Sequence, residues 1–300
     1  MFSLLRSSLQ PSTVESYSKA WDNFSKFVSG RLSQSVVLPV DVTTIGLYVT
    51  ELYRVGLQAS SIRTHLSAIS FMHKLKNMAD PTQTFFISKL MFSINKQKPT
   101  IDKRLPIGKT LLEKLIPAID ICGPTRYGSV MYKAMALLAY YACLRVGEMT
   151  YNGNVSHVLQ LSNVTPVITE GVMSAFKLSF STYKHSDSSQ PVFQVTAHSS
   201  PVFCPVAHMH KYLQLRGSIP GPLFQNHDKS HVTRAQFLKS LRDALSSLRI
   251  PVEMFNTHSF RIGRCTDMAN MGYSESQIKA IGRWKSNAFT RYIRPSIVSV

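Results

Sequence analysis

A chain of 300 residues is long enough for two domains of ordinary size or one large one. With 44% of its residues apolar, wholesale disorder is excluded. The 34 Lys and Arg against 16 Asp and Glu leave a formal charge of +18, which favours a polyanionic partner and nucleic acid first, because each cation that meets a phosphate releases condensed counterions. Ribosomal, membrane-surface and heparin-binding proteins share such a balance, so composition alone does not choose among them. The four cysteines (Cys122, Cys143, Cys204, Cys265) form no CxxC pair and read as reduced thiols. No apolar run approaches the roughly 20 residues that span a bilayer, and MFSLLRSSLQ at the start is not a signal-peptide core. The expected setting is therefore intracellular, nuclear if the host has a nucleus, with no membrane partner.

Residues 1–97 read as a helical domain. Pro11 precedes a Ser12–Glu15 capping box, and Val14, Tyr17, Trp21, Phe24 and Phe27 then recur at helical spacing. A second helix follows Asp41, with Ile45, Val49 and Leu52 inward and Gly56 ending it. A third runs from about Ser61 to Lys76 over Ile62, Leu66, Ile69 and Met72, and a fourth from Phe85 to Asn95. Arg63, Thr64, Lys74 and Lys76 lie on the outer side of the third helix. They are candidates for contact with a duplex backbone, or simply a solvated face.

Residues 98–106 read as a basic linker between prolines, in which Lys98, Lys103 and Arg104 could run along DNA. From residue 107 to 300 a second domain follows. Helices are predicted over 108–118 and 128–143, the latter almost wholly apolar and so buried. Strands are predicted at His157–Leu161, Ala175–Thr182 and Val192–Ala197, with Tyr183–Ser189 as a polar hairpin tip. Helices resume over 205–216, over 233–248 behind a Thr233–Gln236 capping box, over 258–271 ended by Gly272, over 274–281 behind Ser274 and Gln277, and over 286–291. The fold class is mainly α with one small antiparallel β-sheet.

Four local signals carry chemistry. Arg145 follows the buried helix and must find an anion, either an external one or Glu148 three residues on. His258 and Arg261 share a face at a helix start, after a predicted cap at Thr257, where free N–H groups and the helix dipole also favour an anion. Gly282-Arg283-Trp284-Lys285 leads to Tyr292, and Lys184 sits on the polar hairpin. Singly, each has a bland alternative: a surface pair, a core aromatic, a solvated lysine. Cys204, His208 and His210 lie close in sequence but lack the fourth ligand and spacing of a zinc site, so no metal is expected.

Arg145, Lys184, His258, Arg261, Trp284 and Tyr292 occur in the order Arg, Lys, HxxR, His or Trp, Tyr, and here the chain resembles the tyrosine recombinase (phage integrase) family. Residues 12–97 look like that family's helical core-binding (SAM-like) domain and 107–300 like its catalytic domain. GRWKSNAFTRYIRP is similar to the recombinases of eukaryotic mobile elements, crypton-like or DIRS-like. The resemblance implies a site-specific recombinase or integrase that uses neither metal nor cofactor. Tyr292 would attack the scissile phosphate to give a 3′-phosphotyrosyl enzyme, and Arg145 and Arg261 would hold the non-bridging oxygens. His258 would take or orient the phenolic proton, Lys184 would protonate the leaving 5′-oxygen, and Trp284 would bond the phosphate or pack the site. Glu148 would brace Arg145 and His258, and Arg283 and Lys285 would touch DNA. The implied partner is double-stranded DNA, bound by a homo-tetramer on paired sites with a dimer on each. A topoisomerase IB-like nicking-resealing enzyme and a domesticated non-catalytic DNA-binding protein remain alternatives. Two features depart from the family: only eight residues follow Tyr292, where relatives often carry a longer docking tail, and Lys177 competes with Lys184 for the lysine position.

Overall fold

The computed structural model describes residues 9–33, 35–99, 102–151, 153, 157–180, 192–198 and 200–294. The chain divides into two compact units, Met1–Asp102 and Lys103–Val300.

In the first unit, helix α1 (Pro11–Arg31) opens on a proline, whose missing N–H and preset φ suit the first turn. The Ser12–Glu15 capping box is therefore not formed. Gln10 is the N-cap, and Glu15 pairs with Lys19 one turn on (2.6 Å). Helix α2 (Val42–Arg54) starts where predicted, with the Asp41 carboxylate accepting the Thr44 N–H, and stops before Gly56, whose φ is 93°. Helices α3 (Ala59–Leu75) and α4 (Phe85–Gln97) complete the unit. Phe24, Ile45, Val49, Ile62, Ile69 and Ile87 form its centre. On α1 the buried positions are Ala20, Phe24 and Val28, with Trp21 and Phe27 at the rim. A 3.6-residue repeat drifts off any fixed stripe over several turns, which is why the predicted aromatic face is only partly inward.

The second unit is built on α6 (Arg126–Tyr141), buried continuously from Gly128 to Tyr140 as its apolar run predicts. Helices α5 (Lys109–Cys122), α7 (Pro205–Arg216) and α9 (Ser259–Asn270) pack around it, and α8 (Arg234–Ser247) packs on α5. Helix α10 (Glu275–Gly282) and a closing 3-10 turn (Asn287–Tyr292) lean on α9. Both predicted capping boxes in this unit, Thr233–Gln236 and Ser274–Gln277, are formed.

Strands β1 (Val164–Thr169), β2 (Val172–Ser179) and β3 (Val192–Thr196) make one antiparallel sheet in the order β1-β2-β3, with Val164 opposite Leu178 and Ala175 opposite Thr196. The strand predicted at His157–Leu161 is absent. A 3-10 turn occupies Leu161–Asn163, and the true first strand begins at Val164, disguised by Pro166. Proline is tolerated there because β1 lies at the sheet's edge. Glu170 and Gly171, both at positive φ (53° and 78°), make the two-residue turn whose twist suits the β1–β2 hairpin. The predicted hairpin tip Tyr183–Ser189 lies outside the described residues. Among the described residues, no helix is long and apolar enough to cross a membrane.

A strap leads into α5 along the helix that carries His258 and Arg261. Leu105 N–H donates to the Met254 carbonyl (2.8 Å), Ile107 N–H to Ser259 (2.9 Å) and Lys109 N–H to the Asp267 carboxylate (2.7 Å). The end of the predicted linker is thus packed on the second unit. Gly263 permits the approach, since a Cβ there would lie 1.9 Å from the Ile107 carbonyl oxygen. Backbone cannot yield as a side-chain tip can, so Gly263→Ala should cost about 2–3 kcal/mol. Thermal melting should show a drop of several degrees; an unchanged midpoint would mean that the strap does not lie against α9.

Candidate active site

Three separate stretches of the second unit converge. The end of α6 delivers Cys143, Arg145 and Glu148; the start of α9 delivers His258 and Arg261; the end of α10 and the closing turn deliver Gly282, Arg283, Trp284 and Tyr292. The chain leaves α6 through Cys143 at a φ of 49°, which turns it sharply into the 3-10 turn Val146–Glu148. At α9 the predicted cap at Thr257 is replaced. Asn256 caps the turn, its side chain accepting the His258 N–H (2.8 Å) and its carbonyl the Ser259 N–H (2.9 Å). Thr257 is buried, and its hydroxyl has no partner among the described residues. The closing turn is anchored by Phe289, buried among Cys143, Cys265, Met268 and Ile278. It is tied to α9 by the Arg294 N–H donating to the Thr266 hydroxyl (3.0 Å).

Arg261 is fully buried. One guanidinium nitrogen donates to the Cys143 carbonyl and the other to the Gly282 carbonyl (2.8 Å), while Nε has no partner among the described residues. Its Cζ lies 4.1 Å from the Trp284 ring centroid and 5.4 Å from that of Tyr292. Trp284 reaches this position by lying across Gly282, where a Cβ would fall 1.5 Å from the indole. The Trp284 and Tyr292 ring centroids are 5.2 Å apart.

The Tyr292 hydroxyl is 3.1 Å from His258 Nε2. Burial pushes the His258 imidazole down to about 4, and the charges of Arg104, Arg261, Arg145 and Arg234 add to the effect. A neutral imidazole is thus held against a phenol, in the state that accepts a proton. Arg145 is 20% exposed, and Glu148 receives both its backbone N–H (2.8 Å) and its Nη1 (3.3 Å). Burial and then Arg261 push the Arg145 guanidinium below its usual value, Glu148 opposes this and Arg283 adds to it. So many cations in a partly desolvated space make a site that wants an anion.

The predicted site residues divide as follows. Arg145, Glu148, His258, Arg261, Trp284 and Tyr292 are brought together. Lys184 lies outside the described residues, while its competitor Lys177 is exposed on β2. Arg283, predicted to touch DNA, is turned inward instead. Its side chain is 3% exposed and its Nη2 donates to Glu148 Oε2 (2.8 Å), because a buried carboxylate needs a buried cation. The second partner of Glu148 is therefore Arg283, where His258 was expected. Lys285 is exposed. Arg104, from the predicted linker, acts electrostatically on His258, and so does Arg234, which the sequence reading missed. A signal for it was present: Arg234 opens α8, the positive end of a helix dipole, where a cation is unfavourable unless an anion joins it.

In the first unit, Arg63 and Lys74 line one groove of about 700 Å³ with Tyr17, Phe71 and Phe92. Lys74 also pairs with Asp80 (3.1 Å). Thr64 is exposed on the same helix and Lys76 just past its end, Lys103 is exposed, and Lys98 sits 4.7 Å above the Tyr53 ring. Among the described residues no group of three or more His, Cys, Asp or Glu gathers around a common point. Cys204 caps α7, His208 Nε2 bonds the Val202 carbonyl and His210 bonds Gln214.

Neither a family model nor a curated relative matches the sequence. Solved structures do. The site-specific recombinase XerH bound to palindromic difH substrate, in a post-cleavage complex, is similar over 95% of this chain and 76% of its own, with a TM-score of 0.66 at 14% identity. The Tn1549 transposon integrase in complex with transposon right-end DNA is similar over 96% and 90%, with a TM-score of 0.63 at 11% identity. A lambda integrase dimer bound to a COC′ core site is similar over 97% and 74%, with a TM-score of 0.60 at 13% identity. The chain has the fold shared by these recombinases and integrases.

The His258 environment makes a pH prediction. Between the ordinary histidine value and about 4, the unfolded chain binds a proton that the folded chain refuses, so stability falls as pH drops through that window and levels off below it. An NMR titration of the histidine ring signals should show His258 still neutral at a pH of about 5. Titration near the ordinary value would mean that the ring is neither buried nor faced by these cations.

Proposed function

We propose that this chain is a tyrosine recombinase, which cuts and rejoins double-stranded DNA through a covalent link to Tyr292. The contact between the Tyr292 hydroxyl and a neutral His258 (3.1 Å), inside a ring of guanidinium groups, carries this reading. The phenolic oxygen attacks the scissile phosphorus and its proton passes to His258 Nε2. The bond to the 5′-oxygen breaks, leaving a 3′-phosphotyrosyl enzyme and a free 5′-hydroxyl, with Lys184 protonating the departing oxygen. Attack by a 5′-hydroxyl on the phosphotyrosine reverses these steps and reseals the strand, so the bond's energy is retained without a nucleotide cofactor.

Arg145 meets the non-bridging oxygens directly, through the guanidinium edge that Glu148 leaves exposed. Arg261 has spent two of its five N–H donors on carbonyls. The remaining donors come into reach once the Tyr292 ring swings off it toward the phosphorus. As the transition state gathers charge on the equatorial oxygens, these fixed cations stabilise it more than the ground state. The working assembly proposed is four copies on two duplexes, a dimer on each, as befits strand exchange between sites. The groove bearing Arg63 and Lys74 supplies phosphate contacts from the first unit.

With duplex DNA nicked near its target site, the protein should form an SDS-resistant adduct. Tyr292→Phe should lower adduct yield on the order of a thousandfold or more while leaving DNA affinity intact, since only the attacking oxygen is lost. An adduct that persists in the phenylalanine protein would remove Tyr292 as nucleophile. Binding without an adduct in either protein would favour a non-catalytic DNA-binding role. For the first unit, Arg63→Ala should weaken binding across sequences and reduce the slope of log affinity against log salt by about 1. An unaltered slope would take that groove out of the footprint.

A further inference from the structure

We propose that Arg283 is a positioning residue for the phosphate-binding Arg145, acting through Glu148. This rests on the reading of the site given under Proposed function. Three observations support it. Arg283 adopts the left-handed conformation (φ 54°, ψ 49°) just after α10, a place where glycine fits without strain. A residue with a Cβ is held there at a cost that the surrounding contacts must offset. That side chain is buried, its Nη1 donating to the Ala142 carbonyl (3.2 Å) and its Nη2 to Glu148 Oε2 (2.8 Å), with its Cζ 4.2 Å from the Phe180 ring centroid. The carboxylate it meets also holds Arg145, on unequal terms.

The inequality defines the role. The Arg283–Glu148 contact is short and sealed, at 3% and 4% side-chain exposure, whereas the Arg145–Glu148 contact is 3.3 Å long with Arg145 20% exposed. Most of the carboxylate's charge is therefore answered by Arg283. Glu148 steers Arg145 through its backbone N–H and one nitrogen without neutralising it. Remove the Arg283 charge, and a buried carboxylate is left with Arg145 as its remaining guanidinium partner. Arg145 is then drawn inward, away from any phosphate. The relay joins residues 135 positions apart in the sequence, so the docking of α10 and the readiness of Arg145 become one event.

The test compares Arg283→Met, Arg283→Lys and the double variant Arg283→Met/Glu148→Gln with the parent protein. Two readouts serve: the single-turnover rate of covalent adduct formation on nicked duplex, and the affinity for inorganic orthophosphate. The second is followed by Trp284 fluorescence in a Trp21→Phe background, which leaves one of the two tryptophans. Arg283→Met should slow the adduct about tenfold and weaken orthophosphate binding about tenfold, at unchanged duplex affinity, a size usual for coupling within one ion-pair network. Arg283→Lys should fall between. Adding Glu148→Gln should recover most of the loss, because the unanswered carboxylate is gone. The proposal is overturned if Arg283→Met behaves as the parent, or if the double variant is no better than Arg283→Met, since loss of packing alone would not be relieved. Should the methionine protein fail to fold, the lysine and double variants make the same comparison. If the parent forms no adduct, the recombinase reading falls and the orthophosphate titration decides the relay by the same two outcomes. If the parent binds neither DNA covalently nor orthophosphate, both fall.

Discussion

The site depends first on a buried guanidinium that has no carboxylate partner among the described residues. Arg261 is completely enclosed, and its two terminal nitrogens bind the carbonyls of Cys143 and Gly282. A buried cation is costly unless its N–H groups are satisfied, so those carbonyls cannot drift away from it. Each belongs to a different stretch of chain, and Arg261 itself to a third. One side chain thus pins the end of α6, the start of α9 and the end of α10 to a common point. Arg145 lies two residues beyond Cys143, and Trp284 two beyond Gly282. Their places follow from where Arg261 holds the backbone.

That pinning also shapes the electrostatics. Arg145, Arg261 and Arg283 are close enough to influence one another, while Arg104 and Arg234 add their charge at His258. Concentrating positive charge where water is partly excluded opposes folding, and Glu148 is the carboxylate that offsets it directly. The arrangement is rational for a protein whose ligand supplies the missing negative charge. It also has a chemical consequence that no single residue would have: the imidazole beside Tyr292 stays neutral, because it is buried and protonating it would add another cation to the cluster.

Close backbone approaches make room for this crowding. Gly263 lets the Ile107 strap touch α9, and Gly282 lets the Trp284 ring lie flat across the chain. Cys143 and Arg283, neither of them glycine, take left-handed conformations at the two exits that carry Arg145 and Trp284. Backbone strain collected beside a polar cluster is expected where geometry serves function rather than stability alone.

What the sequence determined by itself was local or compositional. The charge excess, the buried character of α6, the caps at Asp41, Thr233 and Ser274, and the shared face of His258 and Arg261 all follow from propensity and periodicity acting within a few residues. The ordered set Arg145, His258, Arg261, Trp284 and Tyr292 was legible too, because those residue types in that order match a known pattern. Tertiary structure alone decided the rest. Strand β1 was hidden by Pro166, since only the sheet reveals that its place is an edge. Thr257 does not cap α9, because the loop before the helix turns it inward; His258 takes the N-cap position, its N–H held by the Asn256 side chain. Arg283, flanked by residues that face the site, reads as one more surface cation until its partner is known. That partner, Glu148, stands 135 residues earlier, and pairing over such a distance is set by how helices pack, a property that no local pattern records.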